Sequence, residues 1–144
     1  MSADLHATAA HRLHEDGQRY TPRRKALVEL LAEVDQPCTI PQLLELRRGM
    51  AQSSVYRNLA VLERAGVVHR IMTTDEFGRY ELAEDLTEHH HHLICETCGD
   101  VTDFTLPSDA EANLEAALKK VARRSSFRAQ HHRLDLVGTC PRCS

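Results

Sequence analysis

Two C-x-x-C pairs, Cys95/Cys98 and Cys140/Cys143, limit what this chain can fold into more than any other feature of it. Each pair grips an ion from one short turn, and two such turns close a tetrahedron. The spacing therefore predicts a structural zinc site that ties distant segments into one unit. A closed set of four thiolates leaves no position open for a substrate. A redox C-x-x-C or two disulfides is the alternative, and the doubling of the motif argues against both.

The run His89-His90-His91-His92 leads through Leu93 and Ile94 directly into Cys95. It reads as a strand, in which successive side chains point to opposite faces. His90 and His92 then share one face and His89 and His91 the other, so one run can serve two separate metal sites. An affinity tag is the plain alternative, but the run is internal and opens onto a zinc knuckle.

At 144 residues the chain allows one ordinary domain or two small ones, and two fit better. With no Trp and only three Phe and three Tyr, aliphatic residues must build the cores, and a small second core benefits from a metal staple. Five cysteines without an apolar N-terminal segment point to a reducing, cytoplasmic setting. No apolar run approaches the length of a membrane span. Residues 1–82 carry 11 Lys and Arg against 11 Asp and Glu, and the remainder 7 against 10, so global charge gives no vote for nucleic acid. Local clustering does better: Arg19, Arg23, Arg24 and Lys25, with Arg12 upstream, can meet phosphates, although a solvated helix face explains them almost as well.

Helical spacing of Leu5, Ala9 and Leu13 predicts a first helix over residues 4–16. Thr21-Pro22 opens a second, whose stripe Ala26, Leu27, Leu30, Leu31 and Val34 runs until Pro37. Thr39 suits the N-cap of a third, through Leu46. A fourth, over residues 53–65, buries Val55, Leu59 and Leu62 and so turns Ser53, Tyr56, Arg57 and Arg64 outward. Strands at 67–71 and 79–82, joined near Thr74-Asp75-Glu76, complete the order of a winged helix-turn-helix, with the fourth helix entering a major groove. The polar stretch 83–88 is the expected hinge between domains 1–82 and 89–144. Beyond it come strands at 89–94 and 101–104, a helix from a Ser108-x-x-Glu111 capping box to about Arg123, and a last strand at 127–137. The expected class is α+β: a winged helix-turn-helix DNA-binding domain, then a small α/β dimerisation domain with structural zinc.

"SSVYRNLAVLERAGVV" is similar to the recognition-helix segment of the ferric uptake regulator family, and "HHHHLICETCGDVTDF" to its metal-domain signature; "YTPRR" also fits. The resemblance spans nearly the whole chain. It implies a homodimeric, metal-activated repressor of AT-rich palindromic operators, of the zinc-uptake or the iron-responsive branch. It places Tyr56 and Arg57 at the DNA and the four cysteines at the structural zinc; Ser53, on the same outward side of the fourth helix, and the clustered Arg19, Arg23 and Arg24 are further candidates for DNA contact. It also implies a regulatory site of Glu81, His90, His92 and Asp103 with His69 as a further ligand, and an accessory site of His89, His91, His132 and Glu111.

Several of these residues have competing roles. Glu111 can instead close the capping box, Asp103 cap a turn, and Glu81 pair with Arg79 or Arg70. The chain departs from both branches: the cysteine of zinc sensors near Glu81 is missing, and Pro37-Cys38 stands where iron and peroxide sensors carry a histidine. Imidazole and carboxylate donors suit zinc, with ferrous iron second and manganese a further alternative; His69 tips the reading to zinc. Nothing matches the H-E-x-x-H or H-x-E patterns of zinc hydrolases and deaminases. A metal buffer without DNA readout is the rival of another class.

Overall fold

The computed structural model describes residues 2–74 and 77–144, so the expected Thr74-Asp75-Glu76 turn falls partly outside the described residues. Helix α1 (Ser2–Glu15) buries Leu5, Ala9 and Leu13 along one face. Helix α2 (Pro22–Glu33) starts where Thr21 Oγ1 accepts the Arg24 amide, and it buries Leu27, Val28, Leu30 and Leu31. It stops short of Pro37 for a non-local reason. Cys38 and Tyr80 exchange both backbone hydrogen bonds, at 3.1 and 2.8 Å, which draws the segment after Val34 into extended geometry.

Helix α3 (Ile40–Leu46) starts from the expected N-cap Thr39 and adds a full capping box: Thr39 Oγ1 accepts the Gln42 amide, and Gln42 Oε1 accepts the Thr39 amide. Helix α4 (Gln52–Arg64) buries Ser54, Val55, Leu59 and Leu62. It ends at Gly66, whose φ of +80° lets the Val67 amide turn back to the Leu62 carbonyl at 2.9 Å. Strands β1 (Val68–Ile71) and β2 (Arg79–Leu82) pair antiparallel, with His69 opposite Glu81. All six elements share one core, centred on Leu13, Leu27, Val28, Leu43, Leu59 and Leu62. Each such leucine contributes about 1.5–3 kcal/mol of burial free energy. This burial holds α4 with its polar side outward, as a winged helix requires.

After a one-turn 3-10 helix (Glu84–Leu86), strands β3 (His91–Cys95), β4 (Val101–Phe104) and β5 (Asp135–Gly138) form a sheet of order β4-β3-β5. Strand β3 begins two residues later than expected, at His91, and β5 is much shorter than the expected 127–137. The parallel β3·β5 register sets Gly138 beside Cys95, which delivers the second C-x-x-C pair to the first. Helix α5 (Ser108–Arg124) is capped by Pro107 without a side-chain bond, so the expected Ser108/Glu111 capping box is absent. Ser108 is already inside the helix, which leaves the Glu111 carboxylate for other partners. Leu118, Val121, Phe127, Leu136 and Val137 stay exposed in the single chain.

Candidate metal centres and nucleic-acid interface

Among the described residues three groups of donors converge, each with its ligand atoms within 4.8 Å of one another: Cys95, Cys98, Cys140 and Cys143; Glu81, His90, His92 and Asp103; and His89, His91, Glu111 and His132. Strand alternation sorts the histidine run as expected, because β3 sends His92 to one face and His91 to the other.

All four thiols are free. Cys98 and Cys140 stand 3.8 Å apart, the edge of a tetrahedron with about 2.3 Å metal–sulfur bonds. The amides of Cys98 and Cys140 point at Cys95 Sγ from 3.5 and 3.3 Å and bring its pKa down to about 6. Hydrogen bonding to the neighbouring Cys140 sulfur, with burial, pushes Cys143 up to about 12. Gly99, at φ +82°, closes the knuckle by returning its amide to the Cys95 carbonyl at 2.8 Å. The donor set fits zinc.

Glu81 reaches the second group from the β1–β2 wing; His92 comes from β3, Asp103 from β4 and His90 from the residue just before β3. Its two oxygens lie 2.8 Å from His92 Nε2 and 3.0 Å from His90 Nε2. Asp103, opposite His92 in the β3·β4 register, is 3.5 Å from His92 and 3.7 Å from His90. These spacings bracket the roughly 3.3 Å edge of a tetrahedral nitrogen and oxygen site. Asp103 Oδ1 is buried without a hydrogen-bond partner, and burial beside Glu81 raises the carboxyl's pKa. Both are the marks of a group lacking a cation. Burial raises the Glu81 pKa, but hydrogen bonds and charge from His92 and His90 outweigh it and leave it lowered. Neither Glu81 nor Asp103 takes its competing role: Glu81 engages imidazoles, and Asp103 lies within β4. A cleft of about 820 Å³ beside Glu81, His90 and His92 opens the group to solvent ions.

His69 faces this cleft but stands outside the four-donor group. Its Nε2 meets the Arg133 guanidinium, and burial together with Arg133 lowers its pKa. The third group centres on Glu111, whose oxygens lie 2.5 Å from His89, 2.9 Å from His91 and 2.9 Å from His132. Hydrogen bonding from His91, then His132 and His89, overrides burial and brings Glu111 down to about 2. His131 and two of the α1 histidines, His11 and His14, are exposed. His6 is not free: it bonds Tyr20 at 2.5 Å and faces Glu29 at 3.4 Å.

On α4, Ser53, Tyr56 and Arg57 are exposed, as are Arg19 and Arg23. Arg24 is held back: its guanidinium donates to Asn58 Oδ1, Gln18 Oε1 and the Arg19 carbonyl at 2.9, 3.2 and 2.7 Å. Arg12 is likewise committed, to Asp85 and the Gly66 carbonyl. Sequence reasoning missed three neighbours of the histidines: Glu84 beside His89, Asp135 beside His92 and Arg133 beside His69. Each comes from another element, and no local pattern marks it.

The model of the ferric uptake regulator family matches residues 15–137, and the chain belongs to that family. It is 32% identical to the peroxide operon regulator of Bacillus subtilis (strain 168), over all of this chain and 97% of that one. The ferric uptake regulator of Helicobacter pylori, described as having three functional metal-binding sites, shares the fold at a TM-score of 0.75, with 22% identity over 99% of this chain and 93% of the other. A zinc-bound manganese uptake regulator matches at a TM-score of 0.61 and 30% identity, covering 92% and 98%. The chain is thus a metal-dependent, DNA-binding transcription repressor and not an enzyme. Regulators of this family bind DNA as dimers.

Proposed function

We propose that this repressor senses zinc at the Glu81, His90, His92 and Asp103 site and, when loaded, binds an AT-rich palindromic operator as a cytoplasmic homodimer. One observation carries the reading: the wing carboxylate Glu81 converges with His90, His92 and Asp103 at the boundary between the DNA-binding segment 1–82, the hinge 83–88 and the metal-binding segment 89–144. An ion there fixes the wing against the dimerising half and favours the orientation in which two α4 helices meet successive major grooves. The coupling required is modest, about 1–3 kcal/mol per site.

Four chain donors at tetrahedral spacing favour zinc over ions that prefer six ligands. His69 lies opposite Glu81 and is the further donor once it leaves Arg133. The four cysteines hold the structural zinc, and Glu111 with His89, His91 and His132 forms the accessory site. Ser53, Tyr56, Arg57, Arg19 and Arg23 meet the DNA, and Arg24 braces them. The exposed apolar side chains of α5 and β5 support a homodimer, because a second copy covers them.

A second reading, iron-dependent regulation with a peroxide response, is favoured by the name of the Bacillus relative. An anaerobic competition between zinc, ferrous iron and manganese, read out by operator binding, separates the two. Zinc as the weakest activator overturns the first reading. Equal operator binding by intact and metal-stripped protein, or by wild type and His90→Ala under saturating zinc, overturns both.

A further inference from the structure

Both ring nitrogens of His89 are engaged. Nε2 faces Glu111 at 2.5 Å, and Nδ1 faces Glu84 Oε1 at 2.6 Å. An ion taken up by Nε2 leaves the proton on Nδ1, where it donates to Glu84; a carboxylate in that place fixes the ring and raises its basicity as a ligand. Glu84 is no loose surface partner. It opens the 3-10 turn closed by Leu86 N–H to the Ala83 carbonyl at 2.9 Å and Thr87 N–H to its own carbonyl at 3.1 Å. The next residue, Asp85, receives the Arg12 guanidinium of α1, and Arg12 also donates to the carbonyl of Gly66, which ends α4, at 2.7 Å. One hydrogen-bonded turn therefore meets a metal-site histidine on one side and, through Arg12, the end of α4 on the other.

We propose that Glu84 is the positioning carboxylate of the accessory site, and that the Glu84–Asp85 turn carries the occupancy of that site to Arg12 and the end of α4. The proposal rests on the reading of His89, His91, Glu111 and His132 as a metal site. Binding linkage makes the effect reciprocal, so operator DNA tightens accessory metal as accessory metal tightens operator.

Full-length protein carrying His90→Ala, with its cysteine site loaded, confines added zinc to the accessory donors. Zinc affinity is measured by competition with a chromophoric chelator, and amide hydrogen exchange is followed over residues 83–88 and around Arg12. Zinc slows exchange in both regions. Glu84→Ala weakens zinc by about tenfold or more and removes the slowing around Arg12 even at saturation, whereas Glu84→Gln, which still accepts from Nδ1, recovers part of each. Asp85→Ala leaves zinc affinity unchanged and loses the slowing around Arg12 alone. Unchanged zinc affinity in Glu84→Ala, or zinc-dependent slowing around Arg12 that survives Asp85→Ala, overturns the proposal. Zinc retained by His132→Ala overturns instead the accessory-site reading beneath it.

Discussion

Glu81 Oε1 lies 2.8 Å from His92 Nε2, and this contact joins the wing to the second sheet. The hydrogen of this contact sits on the nitrogen lone pair that a metal ion would use. His90 shows the same logic, because its Nδ1 faces the Glu88 carbonyl at 2.8 Å while its Nε2 faces Glu81. Only the doubly protonated ring donates to both. Protons and metal therefore compete for one set of lone pairs where the wing meets the second sheet.

Glu81→Ala removes the one donor of this group that the wing supplies. Replacement of an outer-shell partner costs roughly 10–100-fold in metal affinity, and loss of a direct ligand costs at least that. We expect zinc-dependent operator binding to disappear while the four-cysteine zinc and the circular-dichroism spectrum persist. Operator affinity that still rises with zinc in Glu81→Ala would remove Glu81 from the switch.

The same contact sets a pH dependence. Burial lowers the pKa of His90 and His92, but the Glu88 carbonyl on His90 and Glu81 on both rings outweigh it, and each ends above its ordinary 6.5. Their stabilisation of the metal-free protein is complete below 6.5 and is lost as pH rises through the folded values. That of Glu81, whose pKa is lowered, is present above its ordinary 4.5 and lost as pH falls through the folded value. The stabilisation from these three groups is thus greatest between 4.5 and 6.5. Zinc must displace both imidazolium protons, so its apparent affinity climbs by up to ~100-fold per pH unit while both are bound. Chelator competition from about pH 6 to 8 measures this slope, and a flat profile contradicts it.

Much of this site was legible because its geometry is local. The two-residue period of a strand separates His90 and His92 from His89 and His91, and the 3.6-residue period of α4 turns Tyr56 and Arg57 away from Leu59 and Leu62. What stayed hidden depends on contacts between distant segments. Ser108-x-x-Glu111 has the spacing of a capping box, yet Pro107 takes the cap and three histidines from elsewhere claim Glu111. The early end of α2 follows from the Cys38–Tyr80 bridge, 42 positions apart in number (80 − 38), which no local signal announces. Arg133 competes for His69 from the segment expected to be strand, so His69's place in "GVVHRI" alone could not show its partner.

Cys98→Ala tests the division of labour between the two halves. The core around Leu13, Leu27, Leu59 and Leu62 contains none of the four clustered thiols, while in small zinc domains metal binding supplies about 10 kcal/mol or more of folding free energy. The variant should lose the structural zinc and sediment as a monomer, and the second sheet should melt early or be unfolded at the outset. The helical signal of the first 66 residues should persist as a separate thermal transition. A single cooperative melt at the wild-type temperature would show that the clamp is dispensable.

The exposed side of α4 should separate residues that read DNA from those that hold the reader in place. Tyr56, 49% exposed, and Arg57 have no role in the core, so Tyr56→Ala and Arg57→Ala should each cost about 1–3 kcal/mol of operator affinity without changing zinc binding or the melting temperature. If Arg57 meets a phosphate, its loss also lowers the slope of log affinity against log salt by ~1 and weakens all sequences alike; if it meets a base, discrimination falls at one position. Arg24 behaves differently. Its guanidinium binds Asn58 on α4 and the Arg19 carbonyl on the preceding loop, so Arg24→Ala should destabilise the fold by about 1–3 kcal/mol as well as weaken DNA binding. Salt-dependent binding and thermal melts on the three variants decide this, and an Arg24→Ala protein with wild-type stability would return Arg24 to the phosphate contacts.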